Sequence, residues 1–214
     1  MTEISVRGIL FDMDGVLVRS EGSIERAWAA WALRNGMPPE ALVNLVHGRR
    51  SIDSVRAIRP DLDAEVENAF IENLEVTDNA GLIVSPGVFD LLRALPPRQW
   101  TIVTSASKKL AVVRLAAGGV PIPEKFVTGD DVENGKPDPA AYAKGAEVLG
   151  LAASACLVIE DAPAGVASGK AAGCKVLAVA DRTQWPALVA ADYRVESLAQ
   201  VKVEIVGPEI RLSF

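Results

Sequence analysis

Positive charge, histidine and cysteine are all in short supply in this chain. Its 214 residues include 22 lysines and arginines against 28 aspartates and glutamates, for a formal net charge of −6. That balance argues against nucleic acid as the main partner, because phosphate backbones select basic surfaces. A phosphorylated metabolite needs only local positive charge and stays open. No window reaches the ~20 apolar residues of a membrane span, and Met1 to Arg7 carries Glu3 and no long apolar stretch, so neither a membrane partner nor a signal peptide is expected. The two cysteines, Cys156 and Cys174, lie in apolar or glycine-flanked surroundings. They read as small buried hydrophobes of a reducing compartment rather than a disulfide, and the chain reads as cytoplasmic.

What is present is an ordinary globular composition, 50% hydrophobic and 23% charged, unlike that of a disordered chain. The run Val6-Arg7-Gly8-Ile9-Leu10-Phe11 is mostly apolar and stops at carboxylates; segments 100–104, 156–159 and 175–179 are similar. Short apolar runs ended by polar residues predict strands covered on both faces. Helical patterns over 88–95, 108–117, 139–149 and 163–172 alternate with them. The alternation predicts an α/β fold, a Rossmann-like doubly wound parallel sheet with right-handed crossovers. Between Gly15 and Leu82 the rhythm breaks. No strand is expected there, and 23–35, 39–46, 51–58 and 61–76 read as helices separated by Pro38-Pro39 and Pro60. The simplest account is an inserted helical cap after the first strand. Residues 1–15 and 82–214 then form the catalytic core and 16–81 the cap, with connections near 15–20 and 80–86 acting as a hinge.

In a doubly wound sheet, functional residues collect at the carboxyl ends of strands. Here the first strand ends in Asp12 and Asp14, the second in Thr104-Ser105-Ala106-Ser107, and a third in Glu160-Asp161, while Lys136 sits in the loop Asn134-Gly135-Lys136-Pro137-Asp138-Pro139. Carboxylates crowded together raise one another's pKa unless a cation intervenes. A hard divalent ion with oxygen ligands, Mg2+, suits carboxylates plus a phosphate. Asp12 is then placed to bind metal through one oxygen and attack phosphorus with the other. Asp14 is placed to protonate the leaving oxygen and later activate water, with its carbonyl also in reach of the metal. Ser105 and the backbone N–H groups around Thr104 and Ala106 suit the phosphoryl oxygens, and Lys136 offsets the charge that builds there. Singly, each group reads as a turn, cap or solvated residue. Jointly, in this order at strand ends and loops, they point to phosphoryl chemistry.

Asp12-Met13-Asp14-Gly15, Thr104-Ser105, Gly135-Lys136-Pro137-Asp138-Pro139 and Glu160-Asp161-Ala162-Pro163-Ala164-Gly165 resemble the four motifs of the haloacid dehalogenase superfamily, from about Arg7 to Ala180. The resemblance implies Asp12 as nucleophile, Asp14 as general acid/base, Ser105 on phosphate and Lys136 stabilising both. It implies Asp161 at magnesium with Glu160 beside the metal, and a mobile cap. A narrower resemblance, carried by Glu25-Arg26-Ala27-Trp28, His47-Gly48-Arg49-Arg50, Ser85-Pro86-Gly87, Val103-Thr104-Ser105 and Ala171-Ala172-Gly173-Cys174, is to the sugar, hexitol, 2-deoxyglucose-6-phosphate and glycerol-phosphate phosphatases. It implies a magnesium-dependent phosphatase of small sugar or polyol phosphate monoesters working through an aspartyl-phosphate. Val16 and Arg19 stand where that branch frequently has Thr and Asp.

Further absences separate the relatives. Asp14 disfavours a dehalogenase, since a halide needs no proton. Residues 16–80 contain no lysine, and a phosphonate-cleaving relative forms a Schiff base with one there. A hexose phosphomutase of the β-phosphoglucomutase type is the runner-up; such relatives carry a histidine in the first cap helix, whereas the single histidine here is His47. The segment Val46-His47-Gly48-Arg49-Arg50-Ser51 is the candidate substrate-reading loop, with His47 and Arg49 as ligands to sugar hydroxyls or phosphate. In the plainer alternative, Arg49 or Arg50 is a solvated helix-start charge. Trp28 and Trp31, three apart on one helix, read as packing between cap helices. A monomer is expected, because the cap covers the site unaided.

Overall fold

The computed structural model describes residues 2–42 and 46–214. In chain order the strands are β1 (Glu3–Val6), β2 (Gly8–Phe11), β3 (Val18–Arg19), β4 (Ile83–Val84), β5 (Trp100–Ile102), β6 (Cys156–Glu160), β7 (Lys175–Val179), β8 (Tyr193–Val195), β9 (Lys202–Val206) and β10 (Glu209–Ser213). The α-helices are α1 (Glu21–Arg34), α2 (Ser51–Ile58), α3 (Ala64–Thr77), α4 (Val88–Ala94), α5 (Lys108–Gly118), α6 (Ala140–Val148) and α7 (Pro163–Ala171).

The α/β core is a five-stranded parallel sheet in the order β5-β2-β6-β7-β8. Every residue of β2, β5 and β6 is buried, as expected for strands covered on both faces. Alternate residues feed opposite faces. Ile9, Phe11, Leu157 and Ile159 join one apolar cluster, while Leu10 and Val158 join the other. The central pair β2 and β6 places Phe11 opposite Ile159. Asp12 and Asp14 therefore emerge beside Glu160 and Asp161 at the carboxyl edge of the sheet.

Helices α1, α2 and α3 carry a third cluster of their own, with Trp28, Trp31, Val55 and Ile71 at its centre. The two tryptophans pack edge to face at 5.2 Å, and Trp31 Nε1 donates to buried Glu67 at 2.7 Å, so both are packing residues as expected. Helix α3 starts later than its apolar pattern suggests. Asp63 caps it by accepting from the N–H groups of Glu65 and Val66, which satisfies donors at the start of the helix that would otherwise stay open. Of the helix expected over 39–46, Pro39–Ala41 forms a 3-10 turn and residues 43–45 lie outside the described residues.

Two further expectations are corrected. The run Val6–Phe11 is not one strand. It breaks at Arg7, and β1 leaves to pair antiparallel with β10 in a separate sheet ordered β1-β10-β9. Gly207-Pro208 joins β9 to β10 and is the turn signal that marks this hairpin. The interval from Gly15 to Leu82 does contain a strand, β3, which pairs antiparallel with β4. Two residues are too few for a period to register in sequence. This short pair joins the two connections expected near 15–20 and 80–86. Both cysteines are buried and unpaired.

Candidate active site

Asp12 follows β2 with its backbone N–H bonded to the Ile159 carbonyl of β6. Its Oδ1 accepts from Lys136 Nζ at 2.6 Å. The same ammonium donates to Glu160 Oε1 at 2.7 Å, the Tyr142 hydroxyl at 3.0 Å and the Val103 carbonyl at 3.2 Å. Tyr142, from α6, donates to Glu160 Oε1 at 2.8 Å, and the N–H groups of Asp161 and Ala162 donate to Glu160 Oε2 at 2.9 and 3.0 Å. Glu160 is wholly buried with both oxygens engaged, and its first task is to hold Lys136. Burial pushes the Asp12 carboxyl up to about 7 against the pull of Lys136, with Glu160 and Asp14 adding to the rise. Asp161 is raised well above the usual range by burial, then by Glu160 and Asp12. Burial alone would lower Lys136; Asp12 and Glu160 outweigh it and raise the ammonium.

Oxygens of Asp12, Glu160 and Asp161 lie within 4.8 Å of one another, and Lys136 is the cation set among them. An all-oxygen, electron-rich group with excess negative charge fits a hard divalent cation. Gly15 adjoins this cluster with φ of 82°, and a Cβ there would overlap the Asp161 carboxylate, so glycine is required on both counts.

Asp14 is held differently. Its Oδ1 accepts from Ser20 Oγ at 2.6 Å and from Arg114 Nη1, on α5, at 2.9 Å. Arg114 Nη2 lies 3.7 Å from Glu75 Oε1 on α3. Asp12, Asp14 and Asp161 open onto a cavity of about 320 Å³ between the sheet edge and helices α1 to α3. Thr104, Ser105 and Ala106 line it from the β5 side. Ser105 Oγ donates to the Gly48 carbonyl at 3.1 Å, and Thr104 Oγ1 accepts from the Ala106 N–H at 3.1 Å. Ser107, not Thr104 or Ser105, caps α5. Gly48 has φ of 74°, and a Cβ on it would run into the Ala162 side chain, which is the close approach its position in the loop implied.

Residues 6–173 match the model of the haloacid dehalogenase-like hydrolases. The chain belongs to that family. It is 44% identical over 202 residues to hexitol phosphatase A of Escherichia coli (strain K12), covering 92% of this chain and 94% of that protein. It is 34% identical over 230 residues to 2-deoxyglucose-6-phosphate phosphatase 1 of Saccharomyces cerevisiae, covering 95% of this chain and 92% of that one. A hydrolase from Pseudomonas syringae shares the fold, with a TM-score of 0.81 at 23% identity over 90% of this chain and 94% of that one.

In this haloacid dehalogenase-like hydrolase the motif residues Asp12, Asp14, Ser105, Lys136, Glu160 and Asp161 come together, although Asp12 and Lys136 are 124 positions apart. His47 and Arg49 line the same cavity; among the described residues neither makes a side-chain hydrogen bond or ion pair. Arg50 is not a solvated charge. It pairs with Asp53 and donates to the carbonyls of Gly129, Val132 and Glu133, which brace the loop leading to Lys136. Ser20, Tyr142, Glu75 and Arg114 join the site without any mark in the sequence. Ser20 acts on Asp14 from six positions away, while Tyr142, Arg114 and Glu75 act on neighbours more distant in the chain, and none of the four lies in a short motif.

Glu75 gives a measurable consequence. Burial pushes its carboxyl up to about 7 despite Arg114, with Asp14 and Glu72 adding to the rise. A carboxyl with a higher pKa folded than unfolded makes the folded state bind more protons, so stability falls as pH climbs from 4.5 to about 7. Glu75→Gln is expected to shrink the fall in unfolding free energy between about pH 4.5 and pH 8 by up to about 3 kcal/mol. Urea titrations at the two pH values measure it, and an unchanged fall would contradict the assignment.

Proposed function

We propose that the chain is a magnesium-dependent phosphatase that hydrolyses small sugar or polyol phosphate monoesters through a phosphorylated Asp12. The observation that carries this reading is Asp12 at the carboxyl edge of the sheet, with Oδ1 tied to Lys136 and Asp161 beside it over the cavity. Asp12 Oδ2, which has no protein partner among the described residues, attacks phosphorus while the ester P–O bond breaks. Asp14 gives its proton to the departing alkoxide, then takes one from the water that attacks the aspartyl-phosphate; the bond from Asp12 to phosphorus breaks and inorganic phosphate leaves. Lys136 holds Asp12 in place and faces the negative charge on the phosphoryl group. Ser105 and the backbone N–H groups near Thr104 and Ala106 receive the phosphoryl oxygens. Asp12 and Asp161 would hold Mg2+, with the Asp14 carbonyl and Glu160 beside it; when bound, the ion supplies charge neutralisation and orientation of the phosphate.

Residues 16–81 act as a cap over a core of 1–15 and 82–214. The separate apolar cluster of α1 to α3 and the paired connections β3 and β4 support that division. His47 and Arg49 are the groups from this side that meet the substrate. Relatives named for hexitol and 2-deoxyglucose-6-phosphate hydrolysis support a small polyhydroxylated substrate, and the cavity is of the size of a small-ligand pocket.

A panel of hexitol, hexose, pentose and glycerol phosphates with Mg2+ is expected to release inorganic phosphate, and EDTA to abolish the release with recovery on adding Mg2+. No turnover on the whole panel would overturn the reading. A hexose 1-phosphate that yields the 6-phosphate without free phosphate would replace hydrolysis by a mutase reaction.

A further inference from the structure

Arg114 has no part in the chemistry above, yet it is a buried cation with 2% of its surface exposed. Its Nη1 donates to Asp14 Oδ1, the oxygen that also accepts from Ser20 Oγ. Its Nε and Nη2 are buried without hydrogen-bond partners, and Nη2 stands 3.7 Å from Glu75, itself only 6% exposed. A guanidinium that is desolvated yet so incompletely bonded is costly to keep in a fold. An apolar side chain of similar volume would serve packing alone, so packing does not account for it.

The geometry at Asp14 does account for it. A carboxyl rotates easily between two equivalent settings, because its terminal torsion is broad and two-fold. Two donors on Oδ1 remove that freedom and leave Oδ2 without a protein partner among the described residues, on a side chain that lines the cavity. We propose that Arg114 is the positioning residue for Asp14, and that Glu75 on α3 steadies Arg114 in turn. Asp14 is thus aimed jointly by the core helix α5 and by α3, and Oδ2 is the atom that carries the proton to and from the reacting oxygens. The inference rests on Asp14 serving as the acid/base of the proposed phosphatase.

The test is a double-mutant cycle on the full chain with Arg114→Met, Asp14→Asn and the pair, using glucitol 6-phosphate and 2-deoxyglucose 6-phosphate. Arg114→Met is expected to lower kcat about 100-fold, at the lower end of what an acid/base group contributes, and to leave KM within about threefold. In the pair, adding Arg114→Met to Asp14→Asn is expected to cost almost nothing more, because the residue it aims is already gone. Arg114→Lys, which keeps a donor, is expected to recover part of the lost kcat. Penalties that multiply in the pair, or a change confined to KM, would overturn the proposal. If Arg114→Met strands Glu75 and fails to fold, Arg114→Met with Glu75→Gln removes the stranded carboxylate. The cycle is then run in that background, where non-additive penalties support the proposal and multiplying ones overturn it. Turnover that survives loss of Asp12 would instead defeat the phosphatase reading itself, so the two failures are distinguishable.

Discussion

Asp12→Asn is expected to abolish magnesium-dependent phosphate release, with kcat/KM falling by roughly 10⁴-fold or more, the scale seen when a covalent nucleophile is removed. The amide keeps the shape of the side chain and still offers an oxygen to Lys136, so the bond at 2.6 Å has a substitute. What is lost is the charge and the second reactive oxygen. Stability should not fall with activity. Asp12 is a buried carboxyl pushed up to about 7, so in the wild type it lowers stability as pH rises from 3.8 to about 7. Asparagine removes that dependence. The expected result is therefore a folded protein at pH 8 that makes no phosphoenzyme and releases no phosphate. Phosphate release near the wild-type rate would sink Asp12 as the nucleophile.

Lys136→Met has the largest expected effect on the fold. Lys136 is 2% exposed and is the ammonium between Asp12 and Glu160. Removing one side of a buried ion pair typically costs about 3–5 kcal/mol, since the other side is left buried and unpaired. Two carboxylates are left here. Without the ammonium the protonated form of Asp12 is favoured still more strongly, and folding then takes up protons. The sign follows directly: the loss of stability should be larger at pH 8 than at pH 5. Added Mg2+ should restore part of it at pH 8, because an ion that binds only the folded state stabilises it by mass action. Activity should fall about 10³-fold as the charge facing the phosphoryl group disappears. Urea unfolding at both pH values, with and without Mg2+, is the measurement. A variant as stable as the wild type at pH 8 would mean that Lys136 does not carry the charge of this cluster.

Much of the core was legible because its signals are local. Buried parallel strands are short unbroken apolar runs, and the polar residues that end them mark the functional edge. Strand β7 and helix α2 have the bounds their patterns predict, Lys175–Val179 and Ser51–Ile58. The antiparallel β1-β10-β9 sheet was not legible, since β9 is largely exposed and lacks an apolar run, and the strand β3 is two residues long.

At the site, the chemistry was written in residue type and order. Asp12, Asp14, Lys136 and Asp161 are found in short motifs, and a parallel sheet delivers strand ends to one edge whatever the details of packing. The partners of those residues were decided in three dimensions. Tyr142 on Glu160, Arg50 on the carbonyls of 129–133 and Arg114 on Asp14 each depend on how a helix is rotated and where it docks. A side chain that works on another side chain leaves no spacing to read, because its partner can lie anywhere along the chain. The kind of reaction follows from local sequence; the aim of Asp14 and the shape of the cavity follow only from helices α1 to α3 meeting the core, where contacts distant in sequence fix direction and depth.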